Sequence, residues 1–273
     1  MGILRRGGVL PEPRQIKHMA IEKTEGSKSQ TRDKLMKLHA WPWVVAIAGT
    51  PCSGKTEWLL SLADALAKPE EPVFLSDLTE ERSFLLDPAA AVQIKRQMTD
   101  VTPLLADNDF DTVSAYSLRP EIDRAITRRN GRVLLDVGIN ASGLRVLSSF
   151  RRDCAARGYD FHLVVNPFCP QTADTDNVRA MKLYAEELSK LSVTGLIANA
   201  FEDAVPDPGA CARGAMSVFW IAQELDLPLL FALADEEIAE TVSALLPDEL
   251  PVWSIKRAFR SQKEDDDGGY RRD

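Results

Sequence analysis

Val44-Val45-Ala46-Ile47-Ala48-Gly49-Thr50-Pro51-Cys52-Ser53-Gly54-Lys55-Thr56 decides how this chain is read. Five apolar residues of strand type run into a Gly-x-x-x-x-Gly-Lys-Thr turn, and a helical pattern follows at once. The two glycines let backbone N–H groups turn inward, which makes a cradle for a polyphosphate. In such a cradle the Lys55 ammonium reaches the terminal phosphates and the Thr56 hydroxyl ligates Mg²⁺. The helix opening at this point adds its positive dipole end. Gly49, Thr50, Pro51, Cys52, Ser53, Gly54, Lys55, Thr56 and Glu57 are therefore expected to line a nucleotide phosphate site.

The pattern continues outward as strands alternating with helices. Trp58, Leu59, Leu62, Ala63 and Leu66 recur at helical spacing, and the run stops before Lys68-Pro69-Glu70-Glu71-Pro72. Strands are expected at Val73–Ser76, Arg132–Leu135, Phe161–Val165, Val193–Ala198, Leu229–Ala232 and Val252–Ile255. Helices are expected at Ala89–Met98, Pro120–Arg129, Asp176–Leu191, Gly214–Leu225 and Ile238–Leu246. Another runs from a Ser142 cap through Val146, Leu147 and Phe150 toward Gly158. In the helix over 176–191, Val178, Met181, Leu183, Tyr184 and Leu188 are read as mostly inward. A short strand is placed near Thr112–Tyr116. This alternation predicts an α/β fold, a single doubly wound, mostly parallel sheet with helices on both faces. Ligands in such folds sit beyond the carboxyl ends of the strands.

Two of those ends carry carboxylates. Asp136 closes Val133-Leu134-Leu135, which is the arrangement that brings a carboxylate to Mg²⁺ beside the phosphates. Asp77 closes the second strand and is the other metal candidate, although it could equally cap the Leu78–Glu81 turn. Gly138 lies where a loop would bring its backbone close to a γ-phosphate. Nothing reads Asn-Lys-x-Asp, the guanine-reading motif of ordinary GTPases. Asn166 and Asn199 each follow an apolar strand, and a lone Asn amide can both donate to and accept from adenine. ATP is favoured over GTP on that ground.

The 273 residues suffice for one large core, and no apolar run approaches the roughly 18 residues of a spanning helix. The first residues carry arginines without the apolar stretch of a secretory signal. Four cysteines without C-x-x-C spacing argue against a zinc site or disulfide framework and suit a reducing cytoplasm. Up to Leu38, nine Lys/Arg against four Asp/Glu give +5, which leaves −13 for the rest of a chain whose total is −8. Nucleic acid would thus be met only through the basic segment. Residues 1–40 are read as a largely disordered basic leader, 41–258 as the nucleotide-binding domain and 259–273 as a disordered acidic tail. Trp41 and Trp43 are expected to pack at the domain edge. His18, His39 and His162 are scattered, and His162 is read as a packed core residue. Cys169 lies on a loop expected near the site.

The phosphate loop, Val133-Leu134-Leu135-Asp136-Val137-Gly138-Ile139-Asn140, Val193-Thr194-Gly195-Leu196-Ile197-Ala198-Asn199 and Leu229–Ile238 together resemble the MinD/ParA class of P-loop ATPases. The resemblance covers about residues 43–256. It implies that Lys55 and Thr56 hold phosphate and Mg²⁺, that Asp136 is the switch-two aspartate and that Asp77 orients the attacking water. It also implies that Asn199 faces adenine, and that the protein is a slow Mg-ATP switch working through a partner and a nucleotide-dependent homodimer. Thr50 stands where that class carries a lysine that crosses the dimer interface. Two other readings stay open. One is an ATP-dependent small-molecule kinase or synthetase, as in the related cobyrinate and dethiobiotin synthetases, its pocket built from Leu85–Ser117. The other is a nucleotide-binding adaptor that does not hydrolyse.

Overall fold

The computed structural model describes residues 39–51, 53–79, 88–105, 115–128, 130–201 and 206–255. The apolar runs form β1 (Val44–Ala48), β2 (Val73–Asp77), β3 (Val101–Pro103), β4 (Arg132–Asp136), β5 (Tyr159–Val165), β6 (Gly195–Ala198), β7 (Leu229–Asp235) and β8 (Val252–Ile255). Between them lie α1 (Lys55–Leu66), α2 (Pro88–Gln97), α3 (Arg119–Arg128), α4 (Ala141–Ser149), α5 (Arg151–Arg157), α6 (Thr175–Ser189), α7 (Pro208–Glu224) and α8 (Ala239–Leu245). The strands make one sheet in the order β3-β2-β4-β1-β5-β6-β7-β8. Every neighbouring pair is parallel.

Alternate residues of each strand enter two separate cores, which is why the strands are apolar throughout. Val44, Ala46, Leu135, Phe161, Leu163 and Val165 pack under α3, α4, α6, α7 and α8. Val45, Ile47, Leu75, Leu134, Val164 and Phe231 pack under α1 and α2. On that second face Trp58 of α1 meets Trp253 edge-on at 4.9 Å, and Trp41 stacks on Phe231. The Trp253 indole donates to Ser61 Oγ at 2.9 Å, which fixes α1, and hence the turn before it, against the sheet. Just before β1, Arg132 and Arg157 both lie over the Trp43 ring, each 5.2 Å from its centroid. Arg132 also donates to the Trp41 and Pro42 carbonyls. His162 is fully buried, and burial lowers its pKa to about 4 against the opposing pull of Asp160.

Several local expectations are corrected. The third strand is Val101–Pro103 beside β2, and Ala115–Leu118 is a 3₁₀ turn rather than strand; residues 112–114 lie outside the described ones. Three residues are too few for a period to declare itself. Asn140, not Ser142, caps α4: its Oδ1 accepts from Gly143 N–H at 2.7 Å, and Ser142 Oγ donates to that same oxygen. The helix expected to reach Gly158 breaks at Phe150, whose N–H bonds three residues back to Leu147 and whose ring is buried. Leu183 and Tyr184 face outward, 57% and 42% exposed, because α6 buries only Val178, Met181, Ala185 and Ser189. α7 starts six residues before Gly214, at Pro208, capped by Asp207 accepting from Gly209 N–H. Residues 1–38 of the expected leader and the tail 259–273 fall outside the described residues, whereas His39, at the leader's end, packs against Asp160 and Trp41.

Candidate functional site

The sheet order puts β4 between β1 and β2, so the turn after β1 and the last residues of β2 and β4 share one rim. The turn is tight: Ser53 N–H bonds the Thr50 carbonyl at 3.2 Å, and Lys55 Nζ folds back on that carbonyl at 2.7 Å. Gly54 sits in the left-handed region at φ 80°, immediately before α1. A Cβ there would lie 2.0 Å from Asn199 Nδ2, so only glycine fits. Asn199, just past β6, donates from Nδ2 to the Ser53 carbonyl at 2.8 Å. Its amide thus holds the turn, leaving Oδ1 as the acceptor. Cys52 lies outside the described residues, while Pro51 and Glu57 are exposed.

Asp77 and Asp136 are register partners on β2 and β4, and both are buried. Thr56 Oγ1 donates to Asp136 Oδ2 at 2.9 Å, tying the first turn of α1 to the β4 carboxylate. Asp77 Oδ1 accepts from Thr79 N–H at 2.8 Å, so Asp77 does cap its own turn, yet its Oδ2 has no partner. Asp136 Oδ1 and Ser53 Oγ are equally bare. Burial, then the neighbouring Asp136, pushes the Asp77 pKa up to about 7. Burial also raises Asp136, opposed by the Lys55 ammonium. Gly138 takes φ 65° two residues on, where a Cβ would press within 2.9 Å of Thr79 Cγ2.

Buried oxygens without partners need a cation or donor. A hydroxyl and two carboxylates form a hard-oxygen donor set of the kind Mg²⁺ takes, so Thr56, Asp77 and Asp136 fit that ion. Lys55, at the start of α1, adds the positive charge that suits this turn to an anion.

Next to the turn, a cavity of about 230 Å³ opens between the ends of β6 and β7, lined by Glu57, Asn199, Phe201, Asp207, Asp235 and Ile238 among others. Of this cavity the sequence reading singles out Asn199 as facing a base; it gives no role to Asp207 or Asp235, at a helix start and a strand end. Asn166, the other strand-end asparagine, is consumed by structure: its Nδ2 donates to the Phe201 carbonyl and its Oδ1 accepts from Phe168 N–H. Cys169 does lie beside the turn, its Sγ 3.7 Å from Thr50 Oγ1. His39 and His162, distant in sequence, come together around Asp160.

No known family profile matches the chain, and no curated protein matches it by sequence. Solved structures do resemble it. The chloroplast FtsY of Physcomitrella patens superposes with a TM-score of 0.50 at 18% identity, over 86% of this chain and 72% of that one. The cell division protein FtsY of Thermotoga maritima gives 0.44 at 15% identity, over 79% and 73%. The signal recognition particle receptor FtsY of Elizabethkingia anophelis, solved in complex with GDP, gives 0.48 at 17% identity, over 79% and 63%. At such identities the likeness is one of fold. Among the described residues no helix is long and apolar enough to cross a membrane. With its all-parallel eight-stranded sheet and helices on both faces, the chain has an α/β fold of the P-loop NTPase type.

Proposed function

We propose that residues 49–56 hold the phosphates of a nucleoside triphosphate, with Mg²⁺ bound by Thr56, Asp136 and Asp77, and that the protein is a nucleotide switch acting on a protein partner. One observation carries the reading: the Thr56 hydroxyl is bonded to a buried carboxylate whose register partner carries a second, and each keeps a bare oxygen at the mouth of the turn. Lys55 now satisfies the Thr50 carbonyl, and on ligand entry its ammonium exchanges that carbonyl for phosphate oxygens. Mg²⁺ supplies charge neutralisation for the β- and γ-phosphates. Asp77 accepts a hydrogen bond from the attacking water, and Gly138 brings backbone N–H to the γ-phosphate side. Such a site turns over by charge stabilisation and water positioning.

The base occupies the cavity beside Asn199. The remaining Asn199 acceptor faces an exocyclic amine there, and ATP is the nucleotide we favour in the absence of a guanine motif. Thr50, in place of a lysine able to reach a second subunit, supports a site completed within one chain. Binding of fluorescent ATP and GTP analogues to wild type and Lys55→Ala tests the core of this. Loss of binding by at least about tenfold in the variant is expected; wild-type affinity would overturn the assignment. Phosphate release without added substrate separates a switch from a small-molecule kinase, and its complete absence with every partner would mark a non-hydrolysing adaptor. Light scattering with a non-hydrolysable ATP analogue reads any nucleotide-driven pairing.

A further inference from the structure

His39, Asp160 and His162 form a second cluster that shares no residue with the site at the turn. Asp160 and His162 alternate in β5, so both face the layer that holds α1, and His39 approaches from the segment before β1. Asp160 Oδ2 lies 2.5 Å from His39 Nε2 and 3.7 Å from His162 Nε2. One donor atom from each residue falls within 4.8 Å of the other two. His162 is fully buried, and neither of its ring nitrogens has a hydrogen-bond partner among the described residues. An imidazole carries one N–H donor and one lone pair, so both groups are left unanswered in an otherwise apolar layer. Trp41 meets the ring edge-on at 6.1 Å.

We propose that His39, Asp160 and His162 bind a divalent transition-metal ion of Zn²⁺ type, with a fourth position left to solvent. Two imidazole nitrogens and one carboxylate oxygen are a borderline donor set that favours Zn²⁺ over Mg²⁺ or Ca²⁺. Four-coordinate zinc with bonds of about 2.0–2.1 Å sets its ligand atoms about 3.3 Å apart. The separations of 2.5 and 3.7 Å straddle that value and the third lies within 4.8 Å, so modest side-chain shifts bring all three into range. Thr194 Oγ1 donates to Asp160 Oδ1 at 3.5 Å and orients the carboxylate from outside the site. His39 and Asp160 are 24% and 13% exposed, which leaves a path for the ion. The ligands come from segments 121 positions apart, so a bound ion clips the lead-in segment onto the middle of the sheet.

The test uses the full chain without a histidine tag, in saturating Mg²⁺, titrated with ZnCl₂ by calorimetry and followed by thermal unfolding. One equivalent of Zn²⁺ is expected to bind and raise Tm by several degrees. His39→Ala, at a partly exposed position that folding tolerates, is expected to weaken binding on the order of a hundredfold and to abolish the Tm rise. Asp160→Asn should do the same, while Asp136→Asn, in the other site, should leave Zn²⁺ binding intact. Co²⁺ in place of Zn²⁺ should give the visible absorption of a tetrahedral centre, lost in His39→Ala. The proposal falls if His39→Ala binds Zn²⁺ as wild type does, if Asp136→Asn abolishes binding, or if no binding occurs.

Discussion

Replacing Asp77 by Asn removes one of two buried carboxylates while keeping an oxygen for the Thr79 N–H. In the folded protein burial makes Asp77 hold its proton up to about pH 7, whereas the unfolded chain releases it near the ordinary carboxylate value of 3.8. A raised carboxyl pKa is stability present at low pH and lost as pH rises through the folded value. Between pH 5 and pH 7 the unfolded carboxyl is ionised and the folded one is not, so each pH unit costs about 1.4 kcal/mol. The metal-free protein should therefore lose about 3 kcal/mol over that interval through this residue, and nothing further above it. Asn cannot ionise. Urea unfolding of both proteins at pH 5 and pH 8 gives the difference directly, titrating groups away from the carboxylate pair cancelling between them. Asp77→Asn should gain about 3 kcal/mol on wild type between those two values. Excess Mg²⁺ should remove the gap by stabilising wild type at pH 8 and not the variant. A wild-type-minus-variant difference that does not change with pH would refute the reasoning, because it would mean that the pair is not held out of water.

Three further outcomes follow from the packing around the turn. Gly54→Ala forces a Cβ against Asn199 Nδ2 at a left-handed φ and should cost about 2–3 kcal/mol in urea unfolding, with nucleotide affinity falling as well. Asn199→Ala removes the bond to the Ser53 carbonyl and should cost about 1 kcal/mol. Its larger effect should be faster amide exchange at residues 53–56, read by mass spectrometry. Trp253→Phe deletes the indole bond to Ser61 and leaves a small void against Trp58; about 2 kcal/mol is expected, with no change in Zn²⁺ affinity.

Most of the architecture was legible because buried parallel strands announce themselves as apolar runs at both faces. Val44–Ala48, Arg132–Asp136 and Val252–Ile255 needed no tertiary information. The tight turn after β1 was equally plain, since Gly49 and Gly54 bracket it and Lys55 opens the helix that follows. The missed features depend on partners far away in sequence. Val101–Pro103 is too short for a period, and its strand character comes from pairing with β2. Leu183 and Tyr184 look inward by spacing alone, yet the neighbouring elements do not cover them. The histidine cluster was invisible for the same reason: Asp160 and His162 share a face by alternation, but only the fold brings His39 to them.

The Asn199 amide bridges from the end of β6 to the Ser53 carbonyl while the same residue lines the neighbouring cavity. Whatever enters that cavity and touches Asn199 alters the stiffness of the loop, and whatever grips the loop alters the cavity wall. Under the proposed function, a nucleoside lacking phosphates and an inorganic polyphosphate lacking a nucleoside would each help the other to bind. By linkage the enhancement must be equal in both directions. On that reading, the bond to the Ser53 carbonyl makes one asparagine the messenger between the two halves of the ligand.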